Sequence, residues 1–355
     1  MKTKRIFVLL PLLMLVSSCG SSDKGGSTPS KTYFKLWNSC DSLTTLKEYV
    51  EDVTNPNSKH FIPVEDRIAT FDMDGTFIGE LYPTYFEYNM LEYRVLDDPS
   101  YKDKAPSDVK EAAQNIRDFV REGTKLPDHF DMVHAYAAAK AYSGMSLKEF
   151  DEYVKEYAKT PANGFEGMTL AESFYKPMLE VFDYLKDYNF DYYVVSGSDR
   201  FICRSLVESI GIPANKVIGM DVVLKANEQG DQEGVNYTIG KEEYLIRTDE
   251  LIIKNLKTNK VKQIAQEIGK VPVLSFGNSS GDSAMHNYCL GENQRYRSEA
   301  FMLVADDDQR DHANLAEGAR RQAIWEENGY NIISMKNDFK TIYGDGVIKT
   351  DFHFN

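Results

Sequence analysis

The stretch of sequence that decides the fold is RIATFDMDGT, residues 67–76. Its first half, Arg67–Phe71, is a short run of the kind that forms a buried β-strand. The run stops abruptly at DMDGT, where two carboxylates stand two positions apart on a tight turn. On such a turn, one carboxylate can serve as a nucleophile while the other acts as a general acid or base. The string therefore predicts a catalytic turn at the end of a strand.

A calcium loop of the EF-hand type is the obvious competing interpretation of this turn. Such a loop carries a glycine at its sixth position and a glutamate at its twelfth. Here Gly75 stands three residues after Asp72, and Pro83 occupies the twelfth position. Calcium ligation of that type is excluded.

Two later strands end in similar polar turns that contain glycine. Tyr192–Val195 is followed by Ser-Gly-Ser at 196–198, and Val271–Phe276 by Gly-Asn-Ser-Ser-Gly-Asp at 277–282. Helical segments separate the strands, so the pattern predicts an α/β fold with a doubly wound, Rossmann-like parallel sheet. Ligands bind at the carboxyl ends of such strands, and we expect the three turns to converge there.

The second half of the chain adds a hairpin and two further strands to this prediction. Turn-forming residues between Val217–Leu224 and Tyr237–Ile239 indicate the hairpin. Phe301–Ala305 and Asn331–Met335 are the additional strands, separated by a helical pattern.

A long helical segment, residues 77–189, separates the first two strands. Capping boxes that begin at Ser146 and Thr169 each open an amphipathic run within it. The segment is too long for a single crossover, so we expect a separate helical cap that covers the site and excludes water. Residues 32–76 and 190–355 then form the core domain.

Composition and charge limit the class of protein. The chain has 355 residues, of which 42% are hydrophobic and 12% aromatic, and this excludes disorder for the bulk of the chain. The net charge of −14 argues against a nucleic-acid partner, because such proteins carry a basic field. An acidic protein that binds an anion needs a metal ion or a local group of hydrogen-bond donors.

The N-terminus has the pattern of an export signal. A basic start precedes the apolar run Ile6–Val16, which is shorter than a membrane-spanning helix. Val16–Gly20 resembles a bacterial lipobox, which implies a signal peptide over residues 1–18 and lipidation of Cys19. Residues 19–31 then form a flexible tether. We expect an exported lipoprotein of the cell envelope, on the periplasmic face or cell surface, whose only membrane contact is this anchor.

The string that ends in Asp-Met-Asp-Gly-Thr resembles the first motif of the haloacid dehalogenase superfamily of phosphatases. The resemblance implies that Asp72 attacks phosphorus and forms an aspartyl-phosphate. It implies that Asp74 protonates the leaving oxygen and then activates water. It also implies a Rossmann-like core with a helical C1-type cap between the first two motifs.

The second and third motifs of the family have weaker matches. Ser196 ends the next strand, and its hydroxyl and the backbone N–H groups from Gly197 onward could bind phosphoryl oxygens. The third motif is a single lysine that neutralises phosphoryl charge. We assign it to Lys257, with Lys260 as the alternative; the lysines that compete for it are Lys254, Lys257, Lys260 and Lys262.

The fourth motif supplies carboxylates to Mg²⁺ and departs from the family pattern here. Asn278 stands where the family has its first Asp, and Asp282 follows four residues later. An amide oxygen can ligate a hard cation but brings no charge, so we expect weaker Mg²⁺ binding. The expected metal ligands are Asp72, Asp74, Asn278 and Asp282. A similar Gly-Asn-Ser-x-Gly-Asp variant is familiar in an extracytoplasmic, phosphoserine-phosphatase-like subgroup.

Substrate choice is expected to depend on the cap. Glu80 could bind an ammonium group of the substrate. An aromatic run could enclose a quaternary amine such as choline, although core packing is the favoured interpretation; this run consists of Tyr82, Tyr85, Phe86 and Tyr88. His134 and the acidic run 306–308 are interpreted as packed and solvated residues rather than site residues.

The sequence therefore predicts a Mg²⁺-dependent hydrolase of a small phosphomonoester such as phosphoserine or phosphocholine. Two alternatives stay open. One is a lipoprotein that binds a phosphorylated ligand without turnover, favoured by Asn278. The other is a phosphotransferase on the same fold. The sequence does not indicate an oligomeric state.

Overall fold

A computed structural model describes residues 31–292 and 295–354 of the chain. The predicted signal peptide and Cys19, the predicted lipidation site, lie outside the described residues. Tyr33–Asn355 form one compact unit. Within the described part of the chain, no helix combines the length and the apolar character needed to cross a membrane.

The fold is built on a seven-stranded sheet whose strand order is β5-β4-β3-β1-β6-β7-β8. All neighbouring strands in it are parallel except β4 and β5, which form an antiparallel edge pair. A separate antiparallel pair joins β2 to β9. The strands are β1 (Ile68–Phe71), β2 (Phe165–Glu166), β3 (Asp191–Asp199), β4 (Val217–Ala226), β5 (Leu245–Ile253), β6 (Leu274–Gly277), β7 (Glu299–Val304), β8 (Asn331–Ser334) and β9 (Ile348–Lys349).

Helices connect the strands and continue in places as short π-helical turns. The π-helical turns are Tyr93–Asp97, Ile264–Ile268 and Tyr288–Glu292. The α-helices are α1 (Asp41–Thr54), α2 (Phe86–Glu92), α3 (Ser107–Glu122), α4 (Phe130–Ala141), α5 (Leu147–Tyr157), α6 (Lys176–Asp187), α7 (Arg200–Val207), α8 (Thr258–Gln263), α9 (Ser283–Asn287), α10 (Leu315–Glu327) and α11 (Met335–Asp338).

An aromatic stack fixes β1 at the centre of the sheet. Phe71 lies opposite Phe276 in the register of β1 and β6, and their rings stack with centroids 4.3 Å apart. Phe276 in turn stacks on Phe301 of β7 at 5.0 Å. Phe182 of α6 covers Phe71 at 4.3 Å. Because these rings bury large apolar areas, they hold the end of β1 firmly in place.

Helices cover both faces of the sheet, as the sequence predicts. Successive residues of β7 alternate between two cores, because strand side chains point to opposite faces. Phe301 and Leu303 belong to the main core, which includes α1 and α6 residues. Met302 and Val304 pack on the other face with Trp325 of α10. The fold class is therefore confirmed as a doubly wound α/β sheet.

The predicted cap segment, residues 77–189, contains α2–α6 and β2. Within it, α4 packs against β5, and α5 packs against α7. Phe182 of α6 packs on the sheet residues Phe71 and Tyr192, so this helix lies on the sheet itself. The division of the chain into a core and a cap stays a prediction.

Two local predictions are wrong in detail. The partner of β4 in the antiparallel pair is β5, at 245–253, rather than Tyr237–Ile239. The residues between the strands form a longer connection that includes a 3₁₀ turn at Gly234–Asn236. The capping box at Ser146 opens α5 as expected. The box at Thr169 opens only a 3₁₀ turn, because α6 begins later, at Lys176.

Candidate active site

The three polar turns meet at the carboxyl ends of β1, β3 and β6. The Asp72 N–H donates to the Phe276 carbonyl at 2.9 Å, which joins the first turn to β6. The strand order reverses at β1: β3, β4 and β5 extend from one side of it, and β6, β7 and β8 from the other. Folds of this kind bind ligands at such a reversal point. A cavity of about 160 Å³ opens here; it is lined by Asp72, Asp74, Glu80, Tyr85, Glu87, Tyr88, Asp131, Gly197, Ser198, Lys254, Leu256, Lys260, Asn278, Ser279 and Asp282.

Lys260 joins the first turn to the turn at 277–282, which is named the fourth turn because it carries the fourth motif. Lys260 forms a buried ion pair on each side. Its ammonium lies 2.5 Å from Asp72 Oδ1 and 2.6 Å from Asp282 Oδ1. Burial alone would lower the pKa of Lys260, but the charges of Asp282 and Asp72 raise it above its usual value. The ammonium therefore stays charged and fixes the position of both carboxylates.

The assignment of the phosphate lysine to Lys257 is corrected by this placement. Lys257 is exposed and does not line the cavity, whereas Lys260 is buried within it. Lys257 is the N-cap of α8, with a positive φ of 54°. The side chain that reaches Asp72 therefore comes from the helix itself, three residues later.

Asp74 lies against the second turn. The Ser198 hydroxyl donates to Asp74 Oδ2 at 2.7 Å, and the Ser196 hydroxyl lies 3.4 Å from the same oxygen. Ser196 Oγ also accepts from the Ser198 N–H at 3.0 Å. Ser196 is fully buried, and Gly197 and Ser198 form the cavity wall. Ser198, which the sequence analysis missed, is therefore the second-turn hydroxyl that contacts Asp74 most closely.

The first turn approaches the fourth so closely that only glycine fits between them. Gly75 has a φ of 70°, and a Cβ atom there would lie 1.8 Å from Asn278 Nδ2 and 2.6 Å from Glu80 Cδ. Asn278 Nδ2 donates to Glu80 Oε1 at 3.1 Å. This leaves the amide oxygen of Asn278 as the atom available for a cation. Glu80 therefore lies in the site, as predicted.

Asp282 organises the fourth turn. Its Oδ2 accepts from the N–H groups of Asn278 and Ser279, at 3.2 Å and 3.0 Å, and from the Ser279 hydroxyl at 3.0 Å. Burial alone would raise the pKa of Asp282, but Lys260 lowers it below its usual value. Both carboxylate oxygens thus have partners within the chain. Asp282 supports the site, and the direct metal contact predicted for it is better supplied by Asp72, Asp74 and Asn278.

Negative charge dominates the cavity. Its lining holds six carboxylates and two ammonium groups. Burial, together with the charge of Asp282, raises the pKa of Asp72, and burial raises that of Asp74 to about 7. Burial and the charge of Asp72 raise the pKa of Glu80 to about 7. The protein alone does not offset the charge of these groups, so a bound cation would stabilise their ionised forms.

The oxygens present fit a hard divalent cation. Asp74 Oδ1 is buried without a hydrogen-bond partner, which is costly unless a ligand meets it. Asp72 and Asn278 supply further oxygens to the same cavity. Among the described residues, no three His, Cys, Asp or Glu side chains form a metal site by themselves. The Asn278 amide oxygen and the carboxylates are oxygen ligands of the kind that suits Mg²⁺.

The aromatic run is divided between the cavity and the core. Tyr85 and Tyr88 line the cavity, and their rings meet edge to face at 5.3 Å. Tyr82 and Phe86 are buried and lie outside the cavity lining. Asp131 of α4 completes this wall. Core packing, the favoured interpretation, thus describes Tyr82 and Phe86, whereas Tyr85 and Tyr88 line the cavity beside carboxylates.

The residues that the sequence placed outside the site lie outside it. His134 is fully buried, its ring lies tilted against that of Tyr88 with centroids 4.3 Å apart, and it does not line the cavity. Asp307 pairs with Arg310, and Asp306 accepts from the Ser334 hydroxyl at 2.5 Å. The acidic run thus has local partners on the sheet edge.

Glu87 and Asp131 line the cavity but were missed as site residues, and Lys254 was considered only as a candidate for the phosphate lysine. Glu87 and Asp131 come from the helices α2 and α4, and helix packing rather than a local motif brings them to the cavity. Lys254 directly follows β5, and its sequence neighbourhood is rich in lysines. For Ser198, the Ser-Gly-Ser sequence that follows a predicted strand could have indicated a site residue.

Comparison with known proteins supports the fold but identifies neither an activity nor a substrate. No protein-family model and no curated protein matches the chain. A conserved protein of unknown function from Anaerococcus prevotii has a similar solved structure, with a TM-score of 0.52 at 15% identity, covering 92% of this chain and 100% of that one. This match shows a shared fold.

Solved structures with named activities align more loosely. One is a phosphoserine phosphohydrolase-like protein from Francisella tularensis, with a TM-score of 0.40 at 14% identity over 75% of this chain and 94% of that one. Another is a HAD family hydrolase from Salmonella enterica, with a TM-score of 0.40 at 13% identity over 78% and 71%. Alignments this loose do not assign a function. The strand order and the meeting of the three turns are those of the doubly wound α/β fold that the sequence predicts.

Replacement of each candidate lysine by methionine tests the correction. Lys260→Met leaves Asp72 and Asp282 buried without their counter-ion, and we expect the free energy of unfolding at pH 8 in EDTA to fall by about 3–5 kcal/mol. Lys257→Met removes an exposed charge and should change the free energy of unfolding by less than about 0.5 kcal/mol. Urea denaturation measures both. Equal effects of the two substitutions would contradict the assignment of Lys260.

The raised pKa of Asp74 makes stability depend on pH. The pKa rises from 3.8 to about 7 on folding, so ionisation costs stability progressively between about pH 4 and pH 7. We expect Asp74→Asn, measured in EDTA, to be more stable than the wild type at pH 8, on the order of 2–4 kcal/mol. The difference should shrink towards pH 5. A difference that is the same at pH 5 and pH 8 would show that the carboxylate is not perturbed.

Proposed function

We propose that this protein is a Mg²⁺-dependent phosphomonoester hydrolase that works through an aspartyl-phosphate on Asp72. One observation carries the proposal: Asp72, at the end of the central strand, is held by the buried Lys260 ammonium at 2.5 Å in a cavity that also holds Asp74. A carboxylate nucleophile, a cation for the phosphoryl group and a second carboxylate for proton transfer are the components this chemistry requires.

In the proposed first step, a carboxylate oxygen of Asp72 attacks phosphorus, and the bond between phosphorus and the ester oxygen breaks. Asp74, protonated in this step, gives its proton to the leaving oxygen. In the second step Asp74 accepts a proton from water. The water oxygen then attacks phosphorus, the bond to Asp72 breaks, and inorganic phosphate leaves.

The phosphoryl group needs positive partners because it enters a negatively charged cavity. Lys260 supplies one, and the N–H group of Gly197 in the second turn adds a neutral donor. Asp72, Asp74 and Asn278 would hold the Mg²⁺. When bound, the ion offsets the charge between the nucleophile and the phosphoryl group.

The leaving group is small and carries a positive charge in this proposal. A cavity of about 160 Å³ leaves room for little beyond a phosphate and a short chain. Glu80, Asp131 and the rings of Tyr85 and Tyr88 form one wall, a combination that suits an ammonium. Phosphocholine and phosphoserine both fit this description.

Binding without turnover is the second candidate, favoured by the neutral Asn278 in the metal set. Asp72 and Asp74 argue for the hydrolase, because together they supply the nucleophile and the acid–base group that turnover requires. Transfer of the phosphoryl group to an alcohol rather than water would use the same residues. We further propose that the protein acts outside the cytoplasm, tethered by a lipidated Cys19.

Release of phosphate from small monoesters tests the proposal. With Mg²⁺ present, we expect hydrolysis of p-nitrophenyl phosphate, phosphocholine or phosphoserine that EDTA abolishes and added Mg²⁺ restores. Asp72→Asn should lower the rate by at least about a thousandfold, because the nucleophile is lost. Turnover that survives in Asp72→Asn, or in EDTA, would contradict the mechanism.

Glu80→Gln tests the charge of the leaving group. Glutamine keeps an oxygen that accepts from Asn278 Nδ2 but removes the negative charge. We expect kcat/KM for phosphocholine and phosphoserine to fall about tenfold, since a charge-assisted contact is lost. For p-nitrophenyl phosphate, which has no ammonium, kcat/KM should change less than about threefold. An equal loss for all three substrates would show that Glu80 does not contact the leaving group.

A further inference from the structure

Lys254 is a second buried ammonium in the same cavity, and the proposed chemistry gives it no role. It follows the last residue of β5, is 6% exposed and lines the cavity. Glu87 accepts from its ammonium at 2.8 Å and is its one ion-pair partner among the described residues. An ammonium carries three donors, so hydrogen-bonding capacity remains on the cavity side.

The loop that carries Lys254 is attached to the second turn, where the phosphoryl group is expected. The Asn255 side chain donates to the Ser196 carbonyl at 2.9 Å. Leu256 packs against Gly197, where an added Cβ would lie 2.4 Å from its Cδ2 atom. The loop of Lys254 therefore has a fixed place beside the second turn.

Glu87 holds Lys254 from the opposite side. One Glu87 oxygen accepts from Lys254 and the other from the Asp199 N–H at 3.0 Å. His134 Nδ1 lies 3.6 Å from the oxygen that Lys254 contacts. Burial alone would raise the pKa of Glu87, but Lys254 and His134 lower it below its usual value. The carboxylate thus stays charged and fixes the ammonium.

The two lysines differ in how far their charges are already offset. Lys260 contacts two carboxylates, whereas Lys254 contacts one, and that carboxylate also accepts from a backbone N–H. A phosphomonoester brings up to two further negative charges. Of the two cationic side chains in the cavity lining, Lys254 has the greater capacity to meet them.

We propose that Lys254 is a second phosphate-binding ammonium and that Glu87 is the positioning residue that aims it. This inference rests on the proposed function, because it takes the ligand of the cavity to be a phosphoryl group. Lys254 then meets oxygens of the group on the side of the second turn, while Lys260 meets them beside Asp72.

The experiment is a set of titrations of inorganic phosphate in Mg²⁺, for the wild type, Lys254→Met, Glu87→Gln and the double variant Glu87→Gln/Lys254→Met. Lys254→Met alone leaves Glu87 buried and unpaired, which destabilises the protein. The double variant removes both charges and should fold as well as the wild type, as thermal unfolding will show. Lys262→Met, which removes an exposed lysine of α8, is the control.

If Lys254 binds phosphate, the double variant should keep its thermal stability but bind phosphate at least about tenfold more weakly. Glu87→Gln alone should weaken binding less, because the ammonium is still present. If Lys254 only ties α2 to the sheet, the double variant will bind phosphate as the wild type does, and the inference is overturned. Wild-type protein that does not bind phosphate would instead contradict the proposed function.

Discussion

The site depends on the buried contact of one ammonium, that of Lys260, with two carboxylates. It joins Asp72 at the end of β1 to Asp282 in the loop after β6, from a helix that follows β5 in the chain. Removal of one member of a buried ion pair leaves an uncompensated charge, which costs several kcal/mol. The position of Asp72, the shape of the fourth turn and the packing of α8 are therefore determined together.

The crowding of carboxylates in the cavity costs free energy, and the packing of the sheet offsets that cost. Six carboxylates face two ammonium groups, and the pKa values of Asp72, Asp74 and Glu80 are raised in consequence. Such a cluster is stable only where the surrounding structure is rigid. The stack of Phe71 on Phe276 supplies that rigidity directly beneath the first turn. The same excess of negative charge that weakens the metal-free fold favours a bound cation.

The strands and the first turn were predictable because they depend on local patterns, an apolar run that stops at DMDGT. The choice between Lys257 and Lys260 was not, because it depends on where α8 begins and which of its residues is buried. Asn278 was readable from its place in the fourth turn. Glu87 could not be predicted, since no local motif marks it and its contacts with Lys254 and the Asp199 N–H depend on how α2 packs. Tertiary packing, rather than residue type, decided these positions.

Chemical trapping of the phosphoryl-enzyme tests the central claim most directly. The protein would be mixed with a labelled phosphomonoester and Mg²⁺, quenched in acid during turnover, and digested, and the phosphorylated peptide would be located by mass. The account predicts label on the peptide that contains Asp72, lost on treatment with hydroxylamine as expected for an acyl phosphate. Label on any other residue, or hydrolysis with no covalent label at any time after mixing, would contradict it.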